Sequence, residues 1–489
     1  MSLPGKLELR TLRYSLRRLQ RRLLRETLWL ITIMRRANFL FALIIFTGVS
    51  SAAIFAQKVV RVTGPDAVNP AEVTIAINPK NPDNVVASSL AARPSRPPFG
   101  SYNYASMDGG LTWKTTPVAN PKGLTQGDDV VYFGADGTVY HIHLSFIGIR
   151  VSRPSRAENG LMVESSIDGG LTWSQPIAAI NHENTVTPFE DKPGIVVDNA
   201  PGSKNKGTVY IAWTRFDEYG SEDPNCHSHI YFTRSTDGGK SFAMPERISD
   251  SAGDCRDSDN TVEGAVPAVA PNGDVYVVWA GAPGLVFKKS TDRGQTFGKE
   301  KVISQMPGGW DFGVAGLKRA NGMPVTGVDL SNGPNKGTLY VNWIDARNGD
   351  EDVFVMASKD GGETWSPPVR VNDDPLRNGK TQFFTWMSVD PTDGSVNLVF
   401  YDRRDTNGAM TRLIMARSVD GGKSFVNFPI DQPAFKCDDN VFFGDYTGIS
   451  AYNGRVLPIF MHLDEKKKLA VSVAQFRFKP GTQERIAEK

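Results

Sequence analysis

Charged residues follow three of the predicted strands in a recurring order, and these residues are well suited to chemistry. Each strand ends in an aromatic residue, and an Asp and an Arg two positions apart come soon after it. The pairs are Asp345 with Arg347, Asp402 with Arg404 and, in reverse order, Arg215 with Asp217. Because residues two apart in an extended strand point to one side, each pair presents a carboxylate and a guanidinium together. Such an arginine can bind a carboxylate or a phosphate group.

The elements that must position these residues are indicated by a phrase that occurs six times. Each copy reads Ser-x-Asp-x-Gly-x, then Thr or Ser, then Trp or Phe. The aspartates are Asp108, Asp168, Asp237, Asp292, Asp360 and Asp420, at intervals of 60, 69, 55, 68 and 60 residues. Asp and Gly in this order favour a tight turn. Repetition at this period predicts an array of one supersecondary unit.

Between the phrases, short segments rich in β-branched and aromatic residues recur, and no helical period of comparable length follows residue 57. This pattern predicts an all-β fold. The segments form seven groups, and the last group, residues 446–474, has three strands and no phrase. The strand Lys58–Thr63 would pair with this open edge and close a ring. We therefore predict a seven-bladed β-propeller, with six blades as the alternative if the group beginning near Val73 is a partial blade.

The six phrases are Asp-boxes, and from about residue 60 to about residue 478 the chain resembles the sialidase-like, or BNR-repeat, β-propellers. The resemblance implies that the boxes are structural turns and that a site lies on the opposite face. It also implies a glycoside hydrolase acting on an acidic sugar, with Tyr446 as nucleophile and Glu263 as its base. The other residues then predicted for catalysis are Asp345 and Asp402, and those predicted for substrate binding are Arg215, Arg347, Arg404, Asp191, Asp217 and Asp445.

The chain departs from the sialidase pattern in three places. The known sialidases have six blades, and they carry an Arg-Ile-Pro phrase before the first blade, where this chain has only Arg61. The segment 91–98 lacks the carboxylate expected of the acid catalyst. The alternative is therefore a non-catalytic propeller that binds glycan, cell-wall material or protein, in which the Asp–Arg pairs are inter-blade salt bridges that tie neighbouring rims together. An enzyme of another class, such as a lyase, is a third reading, so enzymatic activity stays open at this stage.

The N-terminal region differs from the rest of the chain. An apolar run at residues 38–49 follows Arg35 and Arg36 and precedes small residues, which predicts a signal peptide or signal anchor over residues 34–56. Residues 1–33 are a basic extension; either translation starts at Met34, or the extension is cytoplasmic and contacts anionic lipid. Residues 57–480 form one propeller domain, and residues 481–489 are a tail. We expect export to the periplasm or the extracellular space, with membrane contact only through an uncleaved segment.

The charge of the exported part excludes one class of partner. Residues 1–36 hold ten basic and two acidic residues, which leaves 45 basic and 51 acidic residues, a net charge of about −6. No basic patch is left to predict nucleic-acid binding. The expected partner is a carbohydrate or glycoconjugate, and the sequence indicates no oligomeric state.

The cysteines are candidates for a disulfide bond, and the histidines are candidates for metal ligands. Cys226 and Cys255 lie in loops on the same face of one blade, so a disulfide is predicted, with three unpaired thiols as the alternative. Cys437 would be left unpaired. The six histidines form no zinc motif, and no cofactor or metal site is predicted.

Overall fold

The computed structural model describes residues 57–92, 99–149, 151 and 154–486. All regular secondary structure in these residues is β-strand. The predictions for residues 1–33 and 34–56 lie outside the described residues. Within the described part, no helix is long and apolar enough to cross a membrane.

Seven antiparallel sheets of four main strands form a β-propeller, as predicted, so the six-bladed alternative is wrong. Strands are named inner, second, third and outer in each blade. Blades 1 to 4 comprise Val68–Ile77, Val85–Ala92, Phe99–Ser106 and Lys114–Pro117; Thr125–Phe133, Val139–Ile147, Glu158–Ser166 and Ile177–Glu183; Phe189–Val197, Val209–Phe216, Ser228–Ser235 and Glu246–Arg247; Glu263–Val269, Val275–Gly281, Gly284–Ser290 and Lys301–Ser304. Blades 5 and 6 comprise Val325–Val328, Leu339–Asp345, Asp352–Ser358 and Val369–Arg370; Gln382–Val389, Val396–Asp402, Met410–Ser418 and Val426–Pro429.

Blade 7 closes the ring with strands from both ends of the described chain. Its inner, second and third strands are Gly448–Tyr452, Arg455–Leu463 and Leu469–Ala474. The outer strand is Val59–Arg61, which pairs antiparallel with the third strand, Val60 opposite Val473. The predicted N-terminal strand therefore closes the ring and covers the edge that blade 7 would otherwise expose. Four short strands complete the structure: Asp311–Phe312 pairs with Ala320–Asn321, Phe435–Lys436 joins blade 6, and Phe476–Arg477 joins blade 7.

The six repeated phrases form one kind of turn, each between the third and outer strands of a blade. In the first copy, the Ser106 hydroxyl donates to Asp108 over 2.7 Å and accepts from the Gly110 amide over 2.8 Å. Asp108 also accepts from the amides of Leu111 and Thr112. The other five copies repeat these bonds. The fourth copy differs at one position, where Arg293 has a φ of 68° and the other copies have glycine.

Apolar side chains fill the spaces between neighbouring blades. Trp213, Trp279 and Trp343, which lie towards the ends of the second strands of blades 3, 4 and 5, are almost completely buried. Burying such a side chain contributes roughly 2–3 kcal/mol. The interface between blades 1 and 2 has a small apolar cluster and a buried polar layer that includes His143 and Glu164.

The predicted disulfide is present. Cys226 and Cys255 are bonded, with their Cα atoms 5.8 Å apart, and the reading of three unpaired thiols is wrong. Cys437 is a buried free cysteine. The bridge fixes the connection between blades 3 and 4 to blade 3, and this connection contributes Asp257 to the site described next.

Candidate functional site

The beginnings of the inner strands lie on the face opposite the six repeated turns. In blade 3, Glu190 near the start of the inner strand is paired with Arg215 near the end of the second strand. The other end of the second strand, Val209, is paired with Ser235, which begins a repeated turn. Antiparallel pairing thus places the ends of the second strands and the repeated turns on opposite faces, as the sequence predicted.

A β-bulge near the start of the inner strand recurs in blades 1, 2, 3, 4 and 6. The bulged residue has positive φ in each: 56° at Glu72, 53° at Asp128, 46° at Lys192, 73° at Gly264 and 46° at Phe384. This conformation costs a non-glycine residue about 1–2 kcal/mol. Bulges re-aim side chains, and strained backbone is concentrated at functional sites. Here they bring charged residues of three successive blades together.

These and neighbouring residues form a cluster at one end of the central channel, which we name the channel mouth. It comprises Glu72, Asp128, Asp191, Lys192, Asp257, Glu263, Arg319, Asp445 and Tyr446. Asp128, Lys192, Asp445 and Tyr446 line the channel directly.

The Lys192 ammonium lies at the centre of the channel mouth. Its Nζ atom is 2.9 Å from Glu263 Oε1, 3.6 Å from Asp445 Oδ2 and 3.8 Å from Asp257 Oδ1. Burial lowers the pKa of Lys192, but the nearby charges of Asp257, Glu263 and Asp191 outweigh burial and raise it well above its usual range. Lys192 is therefore a fixed positive charge, with 6% of the residue exposed.

Glu263 and Asp257 form a carboxyl pair beside Lys192. Burial raises the pKa of Glu263 to about 8, and the charge of Asp257 adds to this effect against that of Lys192. Burial also acts to raise the pKa of Asp257, but Lys192 and Arg319 outweigh it and lower that pKa to about 2. At neutral pH, Glu263 is therefore the acid that holds a proton and Asp257 is the ionised carboxylate.

Asp128 and Asp191 form a second buried carboxyl pair. Burial raises the pKa of both groups, and that of Asp191 rises well above its usual range, so Asp191 holds the proton.

A tyrosine hydroxyl donates to the accepting carboxylate of each pair. Tyr446 Oη donates to Asp128 Oδ1 over 3.0 Å, and Tyr219 Oη donates to Asp257 Oδ2 over 2.6 Å. Burial, together with the charge of Asp128, raises the pKa of Tyr446 well above its usual range. Tyr446 is therefore protonated at neutral pH.

The connection between blades 4 and 5, residues 305–324, crosses the channel mouth, and we name it the strap. Arg319 of the strap forms an ion pair with Asp257 at 3.0 Å and a second with Asp445. Asn321 Nδ2 donates to the backbone carbonyl of Asp445 over 3.1 Å. On the far side, Arg403 of blade 6 donates to the backbone carbonyl of Ala315. The strap therefore joins blades 6 and 7 to the connection that carries Asp257.

The central channel extends from the mouth towards the face of the repeated turns. It has a volume of about 510 Å³ and is lined by inner strands of all seven blades. At the mouth, Lys192 and Asp445 are buried, whereas Pro201, Lys206 and Thr392 at the other end are exposed. The channel therefore opens on the face of the repeated turns, and the strap covers its mouth.

The structure brings four of the predicted residues together: Tyr446, Glu263, Asp191 and Asp445 all belong to the channel mouth. The proton acceptor of Tyr446 is Asp128, and Glu263 instead contacts Lys192 and Asp257.

The three predicted arginines are not brought together, because each binds a carboxylate of its own blade. Arg215 lies 2.7 Å from Glu190, Arg347 lies 2.5 Å from Asp345, and Arg404 lies 2.7 Å from Asp402. Asp217 accepts the backbone amide of His227 over 3.0 Å. None of these predicted arginines and aspartates lines the channel. These pairs lie within single blades, whereas the alternative expected salt bridges between neighbouring blades, and the three arginines do not form a common clamp for an acidic sugar.

Sequence reasoning passed over Glu72, Asp128, Lys192, Asp257 and Arg319 as site residues. Three of these lie on bulges, and a bulge reverses which face a side chain occupies without a clear mark in the sequence. One signal was available: Glu72, Asp128 and Lys192 occupy the same place in their repeats, before the apolar run of the inner strand. In the part of the chain that the structure describes, no three His, Cys, Asp or Glu side chains are arranged to hold a metal ion.

Comparison with known proteins finds similar folds at low sequence identity. No protein-family model and no curated protein matches the chain. The α-L-arabinanase of Penicillium chrysogenum, solved with arabinobiose, has 14% identity over 86% of this chain and 98% of its own, with a TM-score of 0.46. The NanB sialidase of Streptococcus pneumoniae has 11% identity over 86% and 94%, with a TM-score of 0.45. An ulvan lyase has 13% identity over 87% and 96%, with a TM-score of 0.48. The likeness concerns the fold only.

Proposed function

We propose that this chain is an exported propeller that hydrolyses a glycosidic bond at the channel mouth. The observation that carries the proposal is the carboxyl pair of Glu263 and Asp257, whose environments move their pKa values to about 8 and about 2. Neighbouring carboxyls with separated pKa values supply a proton donor and an ionised carboxylate at the same pH. Glycoside hydrolysis requires both functions around one sugar.

In the proposed reaction, Glu263 is the general acid and Tyr446 is the nucleophile. The Tyr446 oxygen attacks the anomeric carbon while its proton passes to Asp128. The glycosidic carbon–oxygen bond breaks, and the leaving oxygen takes the proton of Glu263. Water then attacks the anomeric carbon and gives a proton to Glu263, while the bond to the Tyr446 oxygen breaks and that oxygen takes its proton back from Asp128. Both residues face Lys192, whose charge contributes to the pKa of each.

The experiment is a hydrolysis assay of the purified protein on aryl glycosides with neutral, amino and acidic sugars, including a sialoside. Glu263→Gln removes the acidic proton with little change of shape, and we expect kcat on the preferred substrate to fall at least about 100-fold. Glu218→Gln, an exposed glutamate on the same face, is the matched control and should retain full activity. Equal rates for the two variants would contradict the role of Glu263.

A non-catalytic, glycan-binding propeller is the second candidate, and the strap favours it. Glu263 is completely buried, and Lys192 and Asp445 nearly so, beneath a covered mouth. If the folded protein binds a glycan array but releases no product from any aryl glycoside, the binding function replaces the hydrolase.

Export to the periplasm or the extracellular space belongs to the same proposal. The bond between Cys226 and Cys255 supports an oxidising compartment, because such bonds persist there. N-terminal sequencing of the protein from fractionated cells tests it. A chain beginning within residues 54–57 would support a cleaved signal peptide, and a chain retained in the cytoplasm would overturn the proposal.

A further inference from the structure

We propose that the channel mouth contains a cation subsite, occupied in this structure by Arg319 of the strap, and that the glycan it accepts carries a protonated amino group. That the ligand is a glycan rests on the proposed function, whereas the subsite itself does not depend on turnover. Its carboxylates are Asp257, from the connection between blades 3 and 4, and Asp445, which precedes blade 7. The Arg319 guanidinium joins them.

The two cations of the channel mouth, Arg319 and Lys192, are attached to the fold in different ways. Lys192 lies on an inner strand, and its side chain is 5% exposed. The Arg319 side chain is 38% exposed and belongs to a connection rather than to a blade. The strap contains Gly308 and Gly309 before its short hairpin and Gly316 within the hairpin, all with positive φ. Because the Arg319 side chain is partly exposed and lies outside the blades, it can withdraw from the mouth, whereas Lys192 cannot leave without unfolding its blade.

The charges of the mouth favour a cationic replacement for Arg319. Once the guanidinium withdraws, Asp257 and Asp445 keep only the Lys192 ammonium, at 3.8 and 3.6 Å, and a ligand ammonium group can form the charge-assisted hydrogen bonds that Arg319 gave up. An acidic sugar would instead place a like charge beside two carboxylates, which is unfavourable. The arginines that could have compensated an acidic sugar, Arg215, Arg347 and Arg404, are paired on the rim.

Two sugars that differ only at nitrogen test the proposal. Glucosamine is cationic and N-acetylglucosamine is neutral, and calorimetry gives the Kd of each for the wild type and for Arg319→Ala. Removing the internal competitor should tighten glucosamine binding at least about tenfold and leave N-acetylglucosamine unchanged. Lys318→Ala, an exposed neighbour on the strap, is the control and should bind like the wild type.

Further variants and ligands make every result decisive. If Arg319→Ala does not fold, Asp445→Asn in the presence of Arg319 should weaken glucosamine binding at least tenfold relative to Lys318→Ala. Equal effects on both sugars would overturn the subsite. If the protein binds arginine amide but not glucosamine, the proposal that the ligand is a glycan is wrong, and the result indicates a basic polypeptide ligand. Glucosamine binding without turnover in the glycoside assay would retain the subsite and reject the hydrolase.

Discussion

The Tyr446 hydroxyl of blade 7 donates a hydrogen bond to Asp128 of blade 2 over 3.0 Å, although blade 1 lies between them in the ring. The contact forms because both side chains lie at the channel axis, where all seven inner strands converge. Asp128 reaches the axis from a bulge with a φ of 53°. The strained backbone of blade 2 therefore places a carboxylate beside a phenol 318 residues away.

This pairing predicts a selective loss of activity in Tyr446→Phe. The change removes one hydroxyl and leaves the ring, so folding should be preserved while kcat of the proposed hydrolysis falls at least about 100-fold. Thermal unfolding and kcat are the two measurements. Tyr452→Phe is the matched control, since Tyr452 lines the same channel near its open end. If both variants hydrolyse the substrate equally well, Tyr446 is not the nucleophile.

The fold was predictable from the sequence because its signals are local. Turn phrases, strand composition and an orphan strand at residues 58–63 are each read within a few residues, and together they define seven blades and the closing strand. The site was predictable only in part. Tyr446 and Glu263 were singled out because they lie where inner strands begin, but the partners of Arg347 and Arg404 depend on side-chain geometry that spacing alone leaves open. Lys192 and Asp128 depend on bulges, and Arg319 depends on the path of a long connection.

The raised pKa of Glu263 predicts that the stability of the folded protein decreases as pH rises. Its pKa is about 8 in the folded protein and near 4.5 when unperturbed. The folded state thus holds a proton that the unfolded chain releases, and this stabilisation is complete below pH 4.5 and lost as pH rises through 8. Glu263→Gln has no such proton. The urea midpoint of the wild type, relative to that of the variant, should therefore decrease between pH 5 and pH 8. A difference that does not change with pH would contradict the assigned proton.

The disulfide predicts a large loss of stability on removal. Cys226 and Cys255 are 29 residues apart, and closing a loop of that length stabilises a protein by roughly 3–4 kcal/mol. The Cys226→Ser, Cys255→Ser double variant should lower the urea midpoint accordingly, and it should weaken activity because the bridged loop carries Asp257. A thiol assay on the denatured, unreduced wild type should find one reactive group, Cys437. Three reactive groups would show that the bridge does not form.

Replacing the buried Glu164 with a neutral residue should increase the stability of the protein. The residue is 1% exposed, and neither carboxylate oxygen has a hydrogen-bond partner within the described structure; the nearest cation-forming atom, His143 Nε2, is 3.8 Å away. Burying a charge without hydrogen bonds is costly. Glu164→Gln keeps the shape and removes the charge, so its melting temperature should rise. Glu183→Gln, exposed at the edge of the same blade, should change little. A fall in the melting temperature of Glu164→Gln would mean that the carboxylate has a stabilising partner.

Replacing Arg293 should also stabilise the protein, because this residue stands where the other five repeated turns have glycine. Its φ of 68° is left-handed, and the equivalent Gly238 has a φ of 77°. A side chain in this conformation costs about 1 kcal/mol relative to glycine. Arg293→Gly should therefore raise the melting temperature, and the reciprocal Gly238→Arg should lower it. Arg293→Asn separates strain from charge, because asparagine tolerates this conformation and is neutral. If the melting temperature is highest with Gly at position 293, lower with Asn and lowest with Arg, the effect comes from the backbone. If Asn and Gly give equal melting temperatures and the difference from Arg depends on salt, the effect comes from the charge.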